Sequence, residues 1–280
     1  MKSIIRKLLN YQNIIISLYV LYLLVFNPRL IISALFSVVK PYIFYNRLKN
    51  TKYEKGLPVL DILDLFPNLD ETVEPVAFLY GSSSPIDFVL LKSLAKLFNG
   101  ECEYFEIGTW RGESVAVVSP FCKACATMNL SNRELAKRGW GGRYLEIQRI
   151  FSKRLPNVIH IEADSHYFDF GQLNKFDLIF IDGDHSYEGV KRDTENAFRL
   201  LKDKRSIIVW HDYCNNYEDI NYEVLAGILD GTPELEKKYL YHISNTLCAV
   251  YIKNVYKTKE LIKPVIPDKK FIIRIKGMRL

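Results

Sequence analysis

The chain has 280 residues, 49% of them apolar, and a formal net charge of +6. That apolar content can bury the core of one large domain with extensions, and it excludes a chain that is mainly disordered. Residues 1–55 carry nine Lys/Arg against one acid and residues 253–280 carry nine against two. The centre is therefore net acidic, which argues against a nucleic-acid-binding core and points the basic ends towards an anionic membrane surface.

In chain order, Lys2, Arg6 and Lys7 precede an apolar run from Ile14 to Phe26. Asn27-Pro28-Arg29 separates it from a second run, Leu30 to Val39. As a helix the first run spans about 20 Å, short of a hydrocarbon core of about 30 Å. Two interfacial helices or one kinked anchor fit the pattern; a pair of helices buried against a domain is the alternative. No small-residue cleavage site follows, which disfavours a secretory signal. Lys40, Arg47, Lys49, Lys52 and Lys55 after the runs keep the remainder cytoplasmic, at a membrane surface. Residues 1–55 are thus expected to be a membrane-associating segment. Residues 56–83, with Pro58, Pro67 and Pro75, read as a linker, 84–252 as the main domain and 253–280 as a basic tail.

Ser84-Pro85-Ile86-Asp87 opens a helix with a cap, a first-turn proline and an acid three residues on. Asn99-Gly100 stops it. Strands and helices then alternate, the pattern of a doubly wound, mostly parallel α/β sheet. Strands are expected at Tyr104–Ile107, Ala124–Leu130, Val158–Glu162, Phe176–Ile181 and Ile207–Trp210. Helices are expected at about 113–121, after the capping box Ser131…Glu134, at Tyr144–Leu155 and at about 187–201. Leu240–Ile243 and Leu247–Ile252 flank Ser244-Asn245-Thr246 as a hairpin. The five cysteines are odd in number and scattered, so they make no disulfide framework. Cys122 and Cys125 have thiol-pair spacing, but no second pair or nearby His completes a zinc site.

The domain is organised around Glu103-Tyr-Phe-Glu106-Ile-Gly108-Thr109-Trp110-Arg-Gly112-Glu-Ser114. An acid closes an apolar strand, Gly108 permits close backbone approach, and Gly112 stands where a helix begins with unpaired N–H groups. Glu106, Asn129, Asp164, Asp182, His185, His211 and Asp212 all fall just past the carboxyl end of a predicted strand. Ligands bind at that edge of an open α/β sheet. Solvated acids scattered without function would not keep to it.

Glu106-Ile-Gly108-Thr-Trp-Arg-Gly112-Glu-Ser, Phe180-Ile-Asp182-Gly-Asp184-His185-Ser-Tyr187-Glu-Gly-Val and Val209-Trp-His211-Asp212-Tyr213 follow in that order. Together they resemble the class I S-adenosylmethionine-dependent methyltransferases, in the branch of methyltransferase domain 24 and small-molecule O-methyltransferases, over about residues 84–252. The resemblance implies a seven-stranded Rossmann-like sheet ending in an antiparallel hairpin. It implies that Glu106, Gly108, Thr109 and Gly112 cradle the methionine end of the cofactor, with Asp182 beside it and Asp164 and Ser165 near the adenine. Such enzymes place an acid at the end of the second strand for the ribose hydroxyls; this chain has Asn129, which lacks the charge that strengthens such bonds. Relatives with acids after the fourth and fifth strands hold Mg²⁺ there, and Asp182, His211 and Asp212 match those positions.

Methyl transfer needs an unprotonated acceptor in line with the sulfonium. Two mechanisms compete. In one, Asp182, His211 and Asp212 hold Mg²⁺ or another divalent ion that lowers the pKa of an acceptor hydroxyl. In the other, His185 or His211 is a metal-free general base; the competing role for His185 is to cap the next helix. Trp110, Trp140, Tyr187 and Tyr213 could wall the pocket of a small-molecule acceptor such as a sugar or glycan precursor. The rival reading is a catalytically inactive module of the same fold at a membrane surface. A nicotinamide-dependent oxidoreductase is disfavoured, because the glycines lack the Gly-x-Gly-x-x-Gly spacing.

Overall fold

The computed structural model describes residues 11–272. Lys2, Arg6 and Lys7, and the last residues of the basic tail, lie outside the described residues. The chain divides into two compact units, residues 1–49 and 50–280.

In the first unit, α1 (Tyr11–Phe26) and α2 (Pro28–Leu48) meet at Asn27 with a bend of 113°. Pro28 has no N–H to continue α1, but its fixed φ suits the first position of a new helix. Large apolar side chains are exposed along both helices, among them Leu18, Leu21, Phe26, Leu35, Phe36 and Val39. Among the described residues no single helix is long and apolar enough to cross a membrane, whereas the bent pair together meets that test by length and composition.

The second unit begins with β1 (Val59–Leu60), α3 (Ile62–Leu65) and α4 (Pro85–Lys96). The start of α4 is as expected: Ser84 and Asp87 form a reciprocal capping box, with Pro85 in the first turn. There follow β2 (Cys102–Ile107), α5 (Glu113–Val118), β3 (Cys122–Asn129), α6 (Asn132–Lys137), α7 (Arg143–Glu146), β4 (Val158–Glu162) and β5 (Leu178–Ile181). The chain continues through α8 (Tyr187–Leu200), β6 (Ile207–Trp210), β7 (Cys214–Asn216), β8 (Asp219–Ile220), α9 (Tyr222–Gly231), β9 (Leu240–Ile243) and β10 (Ala249–Tyr251).

The main sheet has eight strands in the order β1-β9-β10-β6-β5-β2-β3-β4. Pairings from β6 to β4 are parallel, and β10 runs antiparallel to both β6 and β9, forming the expected terminal hairpin. The eighth strand is β1. It joins β9 in parallel because the carbonyls of Pro58 and Leu60 accept the amides of His242 and Ser244 at 3.0 and 2.9 Å. Two residues are too few for a periodic signal, so this pairing has no counterpart in the sequence pattern. β7 and β8 form a separate two-stranded ribbon.

Strand β5 is apolar at every position, Leu-Ile-Phe-Ile, and all four residues are buried, as a strand covered on both faces must be. The expected helix Tyr144–Leu155 ends early, at Glu146. The amides of Arg149 and Phe151 are taken by the carbonyls of Trp110 and Arg111, at 2.7 and 3.0 Å. Arg149 has φ +59°, which breaks the helical path. Those tertiary bonds tie the loop after β3 to the loop after β2.

Candidate active site

Strand register sets the site. Ile107 at the end of β2 pairs with Met128 of β3 and Ile181 of β5; Met128 pairs with Ile161 of β4, and Ile181 with Trp210 of β6. The next residue on each strand therefore lies in one row: Gly108, Asn129, Glu162, Asp182 and His211. The chain runs from β2 outward to β3 and β4, then returns past β2 to β5 and β6. The row thus straddles the point where strand order reverses, where α/β sheets open a crevice.

A cavity of about 670 Å³ lies over this row. Gly108, Thr109, Asn129, Asp164, Ser165, Asp182, His185, His211 and Asp212 line it, so nine residues expected from the sequence meet in one place. Glu106 and Gly112 are not in its lining. Glu106 is fully buried, and its carboxyl group accepts from the hydroxyls of Tyr104 and Thr127 at 2.8 Å each and from Ser114. Burial drives its pKa up to about 7 against the pull of those donors. Gly112, at φ +82°, has a turn role: a Cβ there would stand 2.1 Å from Ser152 Oγ. Gly108, at φ +100°, packs its backbone so closely that a Cβ would meet the Asp182 carbonyl oxygen at 1.9 Å. That contact joins the ends of β2 and β5.

On the β3–β4 side, Asn129 donates from Nδ2 to Gln148 Oε1 at 3.0 Å, leaving its own carbonyl oxygen as acceptor. Asp164 holds Arg138 at 2.6 Å and accepts the amide of His166 at 3.0 Å. Trp140 stacks on Tyr144 with centroids 4.3 Å apart, and Trp110 follows at 6.3 Å from Tyr144. These three rings wall the cavity. Of the other expected wall residues, Tyr213 is wholly buried with its hydroxyl on the amide of Leu57, and Tyr187 hydrogen bonds Asp230; neither lines the cavity.

On the β5–β6 side, His211 is nearly enclosed by acids. Its Nδ1 lies 3.1 Å from Asp212 Oδ1 and 3.3 Å from Asp182 Oδ1, and its Nε2 lies 3.5 Å from Asp87 Oδ2. Neither ring nitrogen is aligned for a formed hydrogen bond, so these are charge contacts. Burial works to depress the His211 pKa, but the Asp182, Asp212 and Asp87 carboxylates outweigh it and hold the ring well above its ordinary value. Burial likewise pushes Asp212 up, and the neighbouring imidazoles overcome it, so Asp212 lies below the usual carboxylate range. The other oxygen of Asp212 is 3.0 Å from Nδ1 of half-exposed His185. Asp184 accepts both the amide and the hydroxyl of Ser186, which in turn caps α8. The capping role expected as the competitor for His185 thus falls to its neighbours.

Asp182, His211 and Asp212 each offer one ligand atom, and these atoms lie within 4.8 Å of one another. Sequence reasoning missed Asp87, Glu113, Arg138 and His166. Glu113 is buried on the cavity wall and pairs with Arg111 at 2.5 Å. It lies in the expected turn, but the turn held two acids and the strand-end position drew the assignment. Asp87 lies far outside the three motif blocks.

Residues 105–213 match the sequence profile of the family described as "Methyltransferase domain". Among curated proteins, the chain is 27% identical over 153 residues to the uncharacterized protein R132 of Acanthamoeba polyphaga mimivirus; the match covers 48% of this chain and 62% of that protein. It therefore spans less than two thirds of this relative. Solved structures with similarity include cofactor-bound Rv0187 from MTB, at 17% identity, TM-score 0.46 and coverage of 63% of this chain and 84% of that one. The O-methyltransferase from Bacillus cereus in complex with SAH is also 17% identical, with TM-score 0.42 and coverage of 68% and 87%. The segment from Phe105 to Tyr213 is thus the part of the chain that is similar to the methyltransferase domain family, and the sheet built around it has the Rossmann-like form of such enzymes.

Proposed function

We propose that this protein is an S-adenosylmethionine-dependent methyltransferase that methylates a hydroxyl group of a small molecule. The observation that carries the reading is the cavity over the strand-end row. Its lining holds Glu113, Asp164, Asp182, Asp184 and Asp212 against the single arginine Arg138. A net acidic pocket of about 670 Å³ suits a ligand carrying a sulfonium and an ammonium group, and the volume lies in the usual range for cofactor sites. The residues present fit the cofactor: Gly108 and Thr109 would form the floor, the side-chain oxygen of Asn129 would meet the ribose hydroxyls, and Asp164 with Ser165 would lie towards the base.

The acceptor would enter beside His185, His211 and Asp212. Nδ1 of His185 lies 3.0 Å from Asp212 Oδ2, a charge contact that favours a proton on Nδ1 and would leave Nε2 as the basic atom. Bound in the cavity, S-adenosylmethionine would supply an electrophilic methyl group that passes to the acceptor oxygen as the carbon–sulfur bond breaks. His185 would take the hydroxyl proton. Two carboxylates and an imidazole with ligand atoms within 4.8 Å also suit a divalent ion, so Asp182, His211 and Asp212 would hold one. Bound there, such an ion would lower the pKa of the acceptor hydroxyl.

We further propose that the N-terminal unit rests on the cytoplasmic face of a membrane. The exposed apolar residues of α1 and α2 support this, as does the absence of any acid in the sequence before Glu54. The test is calorimetric titration of S-adenosylmethionine and S-adenosylhomocysteine into the full-length protein in detergent, with and without Mg²⁺. Micromolar binding that is lost in Gly108→Val is the expected result. A folded protein that binds neither ligand would overturn the enzyme reading and favour an inactive module of this fold.

A further inference from the structure

We infer that Asp87 is a positioning residue of the site, holding the His211 ring so that Nδ1 faces Asp182 and Asp212. The inference rests on the reading of His211 as a site residue. Asp87 belongs to the first turn of α4, outside the segment that matches the family profile. It is completely buried. Its Oδ2 accepts the amide of Ser84 at 2.9 Å and its Oδ1 accepts the amide of Leu247 at 2.8 Å, with Cys248 Sγ at 3.7 Å. All of these donors are neutral. A helix cap needs one acceptor oxygen and no burial, so capping alone does not account for a fully desolvated carboxylate, which is costly without a counter-charge.

Beyond those donors, the polar side chain that Asp87 faces is the His211 imidazole, whose Nε2 lies 3.5 Å from Asp87 Oδ2. The imidazole thus stands between acids on both edges, Asp87 on one and Asp182 with Asp212 on the other. Turning the ring by half a revolution about its Cβ–Cγ bond would replace each nitrogen by a carbon and set C–H edges against three carboxylates. Asp87 therefore biases the ring towards the orientation in which Nδ1 can serve as a ligand or proton carrier on the cavity side. Imidazoles that bind metal are commonly oriented this way, by a carboxylate on the second nitrogen.

The test uses the full-length chain in detergent micelles, labelled with ¹⁵N at its five histidines. The wild-type protein is expected to show a slowly exchanging Nε2–H resonance for His211, identified by its loss in His211→Gln. In Asp87→Asn, which keeps size and removes charge, that resonance moves upfield or is lost. Ser84→Ala is the control. It removes the hydroxyl that accepts the Asp87 amide at 3.3 Å and so weakens the cap, but it leaves the carboxylate, and the resonance should stay in place. In parallel, Mn²⁺ affinity read by electron paramagnetic resonance is expected to fall about 10–100-fold in Asp87→Asn and to hold in Ser84→Ala. Absence of the resonance in the wild type overturns the inference even if Asp87→Asn does not fold. So does an unchanged resonance in Asp87→Asn, or an equal change in Ser84→Ala. If the wild type binds no Mn²⁺, the metal reading of the site is lost, while the ring resonance still decides the role of Asp87.

Discussion

Replacing Gly108 with alanine tests whether the close approach of β2 to β5 builds the cavity floor. The new Cβ would lie 1.9 Å from the Asp182 carbonyl oxygen, 2.4 Å from its carbon and 2.9 Å from the Gly183 nitrogen. All three are backbone atoms within or next to a buried parallel strand, so no side chain can rotate away. The residue also holds φ +100°, which costs an L-residue roughly 1–2 kcal/mol. Overpacking adds about 1–3 kcal/mol. The expected loss of about 2–5 kcal/mol corresponds to a melting temperature lower by roughly 4–20 °C for a domain of this size. Gly100 provides the control, because it has φ +84° and a Cβ added there would meet nothing within 4 Å. Gly100→Ala should therefore show only the conformational cost. Scanning calorimetry with and without S-adenosylhomocysteine reads both effects. Gly108→Ala should also weaken that ligand by at least roughly tenfold, about 1.4 kcal/mol. Equal melting shifts for the two alanine variants, with wild-type affinity in Gly108→Ala, would refute the reasoning.

Glu106 has a folded-state pKa of about 7 against an ordinary 4.5, so the native state holds the proton more tightly than the unfolded chain. Stability from this group is then greatest below 4.5 and falls as pH rises towards 7; Glu106→Gln should flatten that slope in urea unfolding from pH 4.5 to 8, and an equally steep slope would remove Glu106 as its source. His185→Gln should lower kcat by about 10²–10⁴ once an acceptor is known, with cofactor affinity unchanged; undiminished turnover would take His185 out of the proton path. Asn129→Asp should tighten S-adenosylhomocysteine by up to roughly tenfold, since bonds to a charged acceptor contribute about 1.5–3 kcal/mol against about 1 for a neutral one. Weaker binding in that variant would show that the ribose is not held at this position.

Much of the α/β order was legible because each buried strand is a short apolar run that ends at a polar residue. Leu178–Ile181 followed by Asp182, and Ile207–Trp210 followed by His211, show this plainly. Parallel register then carries those ends into one row. What the pattern could not supply depends on contacts between distant segments. The helix expected over Tyr144–Leu155 stops where Trp110 and Arg111 take its amides. Strand β1 forms because β9 offers it an edge and Lys259 bonds Val59 on its other side. Glu106 ends its strand as expected, yet its side chain turns into three hydroxyl groups beneath the cavity. Strand-end position fixes where the backbone lies; which face the side chain takes depends on what is packed there.

The charge of the cavity bears on how the proposed transfer could be driven. Methyl transfer from a sulfonium to a neutral hydroxyl disperses positive charge at sulfur, so carboxylates close to sulfur favour the bound cofactor over the transition state. Interactions that stabilise both states equally, or the ground state more, do not raise kcat. An acidic pocket therefore helps binding and, taken alone, would not help chemistry. The arrangement at the β5–β6 end offsets this. Asp182 and Asp212, the acids at this end of the cavity, are already engaged by His211, whose pKa their charges hold well above the ordinary value. With that ring protonated, one of the two negative charges at this end is offset, and a divalent ion held by Asp182, His211 and Asp212 would offset both, beside the place where the acceptor hydroxyl would lose its proton. The remaining acids, Glu113, Asp164 and Asp184, lie on the wall outside this cluster; Glu113 and Asp164 are paired with Arg111 and Arg138, so they attract a cationic cofactor less strongly than bare carboxylates would. This division predicts that His211→Gln should damage turnover more than cofactor affinity. Glu113→Gln should do the reverse, and comparing kcat with the S-adenosylmethionine dissociation constant in the two variants distinguishes the roles. Equal effects on both quantities in both variants would show that the acids act as one undivided field.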